Sequence, residues 1–104
     1  GYAGSKATQR FIAAYAQDES RRAELDITVT AVLPRMTPFG DVGRRGVRAY
    51  AARDGQTEEA YLQQLGELLT PDIAGSALVD LVRADAATTA PEYVLTAAGL
   101  QKLP

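Results

Sequence analysis

The chain has 104 residues, enough for one domain with a core and too few for two, and eleven basic residues against thirteen acidic ones leave a formal charge of −2. That near balance argues against a nucleic-acid footprint, and the local clusters Arg21-Arg22 and Arg44-Arg45 with Arg48 read as solvated faces. The absence of cysteine and histidine excludes disulfides, thiolate catalysis, a histidine general base and most zinc sites, so no metal is expected.

Tyr2-Ala3-Gly4-Ser5-Lys6 opens a long helix-forming run and sets a phenol and an ammonium four residues apart. On a helix these share a face, with Cβ atoms roughly 5–6 Å apart. An ammonium beside a phenol favours the phenolate, which is the electrostatic requirement for a tyrosine acid/base near neutral pH. From Ser5 to Arg22 the residues predict a helix of about five turns, with Ala7, Phe11, Ala14 and Tyr15 on one side and Gln9, Arg10, Gln17, Asp18 and Arg21 on the other.

Asp26 to Leu33 is rich in β-branched residues and predicts a strand stopped by Pro34. Neither face of it is charged, the pattern of a strand buried on both sides of a parallel sheet. Its edge has nothing to protect it and should pair with a strand this chain does not contain. Pro34 to Gly43, with two prolines and two glycines, predicts a loop.

Gly46–Arg53 and Thr57–Leu69 predict helices, the second capped by Thr57. Thr70-Pro71-Asp72 is a strong helix start, and Ile73, Ala77, Leu78, Leu81 and Val82 form the apolar stripe of the helix that follows. Glu92 to Thr96 predicts a last short strand, with Gly99 leading a polar tail.

Helix, strand, helices, strand is the order found in half of an open α/β sheet. No apolar run approaches the ~18 residues of a membrane span, and the front does not look like a secretory signal, so no membrane partner is expected and a cytoplasmic location is. The chain begins Gly-Tyr-Ala and has its one methionine at Met36. The expectation is a processed chain, an engineered product or a piece of a longer protein.

In this order and spacing the chain resembles the C-terminal part of a short-chain dehydrogenase/reductase, over nearly its whole length. Tyr2-Ala3-Gly4-Ser5-Lys6 is similar to that family's Tyr-x-x-x-Lys motif at the head of a long helix. Asp26 to Val32 with Leu33-Pro34 is similar to its sixth strand and the turn beyond, Thr70-Pro71-Asp72-Ile73-Ala74 to the next helix start, and Tyr93 to Thr96 with Gly99 to the seventh strand.

The resemblance implies the C-terminal half of a Rossmann-like, doubly wound parallel sheet and an oxidoreductase that interconverts a carbonyl and an alcohol by hydride transfer with NAD or NADP. Tyr2 would be the acid/base. Lys6 would favour its phenolate and hydrogen-bond the nicotinamide ribose, and backbone at Pro34 and Thr37 would lie beside the nicotinamide. Residues 40–69 would form a substrate-side helical insertion, with Met36, Phe39 and Tyr50 lining it.

Implied partners are a missing N-terminal dinucleotide-binding half, a small carbonyl or alcohol substrate, and further copies in a homo-oligomer. Two departures stand out: Arg35 where the family usually has glycine, and Phe39 about where a cofactor-contacting threonine is often found. No Gly-x-x-x-Gly-x-Gly phosphate loop is present, so the chain alone is expected to bind no whole cofactor and to be inactive. Two other readings remain open: a small helical interaction module using Phe11/Tyr15 and Leu78/Leu81, and a degenerate relative kept as a structural or regulatory subunit.

Overall fold

The computed structural model describes residues 1–104. Helix α1 (Tyr2–Arg22) leads into strand β1 (Ala31–Pro34), then α2 (Asp41–Arg53), α3 (Glu58–Leu65), α4 (Pro71–Arg83), a 3-10 turn (Ala86–Thr88), β2 (Glu92–Thr96) and β3 (Gly99–Lys102). The sheet order is β1-β2-β3. β1 pairs parallel to β2, with Ala31 opposite Glu92 and Pro34 opposite Leu95. β2 turns back antiparallel onto β3, with Thr96 opposite Gly99.

This mixed, three-stranded sheet overturns the expected half of a Rossmann-like, doubly wound parallel sheet. The decisive element is β3, read from sequence as a polar tail. Gly99 takes φ 101°, a left-handed value that suits glycine, and brings Gly99–Lys102 back onto β2 after Ala97-Ala98. Gln101 and Lys102 are exposed there, so the strand carries little apolar signal.

β1 is also shorter than the predicted span 26–33. Side chains take the place of a ladder upstream of it: Gln17 Oε1 accepts from Val29 N–H at 2.6 Å, and Thr30 Oγ1 donates to Ala90 O at 2.7 Å. Ile27 is 57% exposed, so the segment is not buried on both sides. Pro34 occupies the last position of β1 instead of ending the strand before it.

Helix boundaries follow their caps. α1 ends with Glu24 at φ 55°, Glu24 N–H bonding Arg21 O and Leu25 N–H bonding Ser20 O, a Schellman closure made without glycine. Ser20 Oγ then donates to Ile27 O at 2.6 Å, which turns the chain toward β1. α2 starts five residues before the predicted Gly46, because extended Gly40 precedes Asp41 in the first turn. α3 stops at Leu65 instead of Leu69, since Gly66 adopts φ 73°. The threonine caps hold as read: Thr57 Oγ1 accepts from Ala60 N–H and Thr70 Oγ1 from Ile73 N–H.

The core is small. Val47 and Ala51 of α2, Leu69, and Tyr93 and Leu95 of β2 are its buried apolar residues. Burying Leu95 contributes about 1.5–3 kcal/mol. The Tyr93 hydroxyl, carried inward with its ring, accepts from Ala90 N–H at 2.9 Å.

Of the predicted apolar side of α1, Phe11 and Tyr15 turn outward and pack ring to ring at 6.1 Å with Ile12 exposed as well, while Ala7 faces β1 across a cleft. Polar side chains anchor the helix instead, through Arg10, Gln17 and Ser20. On α4, Ile73, Ala77 and Leu81 are half-buried while Leu78, Val79 and Val82 turn outward. No helix is long and apolar enough to cross a membrane.

Candidate functional site

α1 runs antiparallel to β1. Gln17 reaches Val29 before the strand, Arg10 reaches Glu92 opposite Ala31, and the first turn arrives at the carboxyl end of β1. A cleft of about 910 Å³ lies between helix and strand, with Tyr2, Lys6, Arg10, Thr30 and Pro34 on its walls. The structure therefore brings together Tyr2, Lys6 and Pro34, three of the residues singled out from sequence.

Lys6 Nζ lies over the Tyr2 ring, 5.5 Å from its centroid. Such a contact is worth about 0.5–1 kcal/mol at an exposed site and holds both side chains on one face of the helix. Tyr2 is 70% exposed, so its phenol is open to a small molecule in the cleft. Lys6 has no carboxylate partner, and its charge is free to act on what binds there.

Thr37 stands in the loop after β1. Its Oγ1 is buried with no hydrogen-bond partner. A buried hydroxyl left unmatched costs about 1–3 kcal/mol, and Thr37 does not line the cleft that holds Tyr2 and Lys6. The loop is held close to α2 at Gly43, where a Cβ would come within 1.6 Å of Thr37 O.

The other expected lining residues go elsewhere. Met36 lies in a second cleft of about 470 Å³ with Arg35, Tyr61, Leu65 and Leu68, and its Cε lies 3.1 Å from where a Cβ on Gly46 would stand. Phe39 is 52% exposed and lines neither cleft. Tyr50 stacks on Tyr61 at 6.3 Å and carries the Arg53 guanidinium over its ring at 4.7 Å, which accounts for it as a helix-face residue.

Sequence reasoning missed the ion pair between Arg10 Nε and Glu92 Oε2, 2.6 Å apart across 82 residues of chain. The hydrogen bond from Arg10 holds the Glu92 carboxyl below the usual carboxylate range, against a smaller opposing effect of desolvation, and Glu92 in turn raises the guanidinium. No local spacing carries this signal, because the partners meet only once α1 lies on the sheet. The pair joins α1 to β2 between the Gln17 contact and the turn that carries Tyr2 and Lys6.

Comparison with family models, with curated proteins and with solved structures finds no match to this chain.

Proposed function

We propose that this chain supplies the proton-transfer site of an NAD- or NADP-dependent oxidoreductase that interconverts a carbonyl and an alcohol. The observation that carries the reading is the Tyr2–Lys6 pair on one helix face, at the mouth of a cleft beside the carboxyl end of β1. In the reducing direction Tyr2 Oη gives its proton to the substrate oxygen; in the oxidising direction it takes that proton. Lys6 offsets the charge left on the phenol as the proton departs.

Part of the cofactor fits what this chain offers. The uncommitted Lys6 ammonium suits the polar nicotinamide end, with Pro34 lining the same cleft. The bound cofactor would supply the hydride. Its phosphates find no glycine-rich turn here and need another polypeptide segment. The chain by itself is accordingly inactive.

The test is turnover of an intact protein carrying this segment, with Tyr2→Phe against the parent. Loss of about 10²–10⁴-fold in kcat with little change in KM is expected, the size of a general acid/base contribution. Retained turnover removes Tyr2 from the chemistry.

A second reading, a helical module that binds other proteins, is favoured by one observation: Phe11 and Tyr15 are 68% and 59% exposed on the outer side of α1. Phe11→Ser with Tyr15→Ser separates the two, since proton transfer at Tyr2 does not need either ring.

A further inference from the structure

The free edge of β1 is complementary to itself. Ala31 N–H bonds Pro91 O at 3.0 Å and Arg35 N–H bonds Leu95 O at 2.8 Å, so Ala31, Leu33 and Arg35 direct their backbone groups to β2. The alternation of a parallel ladder turns those of Thr30, Val32 and Pro34 the other way. No bulge guards this edge, Lys6 and Arg10 line the cleft beside it, and Pro34, which lacks a donor, still offers its carbonyl.

The surface area is anomalous in the same sense. A folded monomer of 11.1 kDa is expected to expose about 5,700 Å². This chain exposes 7669 Å², with a radius of gyration of 16.1 Å against about 13 Å for its length. The excess, about 2,000 Å², equals one side of an obligate interface.

We propose that two copies of this chain join through β1, edge to edge and antiparallel, into one continuous sheet. A twofold axis through Val32 sets Val32 opposite its counterpart, and the two exchange both N–H to C=O bonds. Thr30 N–H then meets the second copy's Pro34 carbonyl on either side, while the Thr30 carbonyl opposite the proline nitrogen gets no donor from it, so four bonds hold the seam instead of six.

The axis is normal to the sheet and keeps both α1 helices on one face. The second strand enters the cleft under α1, where Ala3, Ala7 and Ala13 present small side chains and leave room for it. Phe11, Ile12 and Tyr15, exposed in one copy, become available to the neighbouring α1. Pairing of this kind fills the cleft that carries Tyr2 and Lys6, so a dimer held through β1 and a small molecule bound beside Tyr2 exclude each other.

The experiment is sedimentation of the 104-residue chain over a concentration series, together with amide hydrogen exchange. The parent should show twice the 11.1 kDa mass and dissociate on dilution. Val32→Pro removes the outward N–H and spares the bonds to β2, and should be monomeric. Val82→Lys, on the outer face of α4, should remain a dimer.

In the concentrated parent the Val32 amide should be as protected as that of Leu33. This readout decides the matter if Val32→Pro fails to fold. A parent monomeric at every concentration, a dimer broken by Val82→Lys but not by Val32→Pro, or a freely exchanging Val32 amide beside a protected Leu33 would overturn the proposal.

Discussion

Replacing Gly43 by alanine tests how the loop bearing Thr37 is held. A Cβ at Gly43 would lie 1.6 Å from Thr37 O and 2.8 Å from Thr37 C. Ordinary contact is near 3.5 Å, so loop and helix must separate by roughly 2 Å, and no side-chain rotation can relieve a clash with backbone. Overpacking of this kind costs about 1–3 kcal/mol.

Gly75 in α4 provides the internal control, because a Cβ there meets nothing within 4 Å. Alanine at that position gains only helix propensity, about 0.5–1 kcal/mol. The two variants should therefore differ by about 2–4 kcal/mol. At about 4–8 °C per kcal/mol for a domain of this size, Gly43→Ala should lower Tm and Gly75→Ala should raise it, as read by thermal unfolding followed by circular dichroism. A Gly43→Ala protein as stable as Gly75→Ala would refute the close approach of Thr37 to α2, and with it the burial of the Thr37 hydroxyl.

Two further outcomes are expected. Thr70→Ala removes the acceptor of Ile73 N–H and should cost about 1 kcal/mol, with Thr70→Ser recovering most of it in chemical denaturation. Because the folded state holds the Glu92 carboxyl below its ordinary range, the Arg10–Glu92 contribution is fully present above the unfolded carboxylate pKa and is lost as pH falls through the depressed folded value. The difference in Tm between the parent and Glu92→Gln should therefore shrink on acidification. A constant difference would mean that the pair does not couple protonation to folding.

What could be read from the sequence was local. Thr57 and Thr70 announce helix starts because a cap is a contact within one turn, and Tyr2 and Lys6 announce a shared face because α-helical spacing fixes it. The face of α1 was misread for the opposite reason. Its side-chain bonds run from Arg10 to Glu92 in β2 and from Gln17 and Ser20 to the segment before β1, while its largest apolar groups, Phe11, Ile12 and Tyr15, stay outside. Strand limits depended on partners in the same way: Val29 and Thr30 look like strand residues but bond to a side chain and to loop carbonyls, and Gln101 and Lys102 look like tail residues but pair with β2. The unmatched Thr37 hydroxyl became visible only with the loop folded.

The most direct test of the nicotinamide-end site is titration of the 104-residue chain with reduced nicotinamide mononucleotide, followed by amide chemical shifts, with inorganic phosphate as the control ligand. This half-cofactor needs no dinucleotide phosphate loop. The expected result is saturable change confined to Tyr2, Lys6 and the Thr30–Leu33 residues that line the same cleft, absent with phosphate and diminished by Lys6→Gln. No change at those residues, or the same change with phosphate centred on Arg44, Arg45 and Arg48, would contradict the assignment.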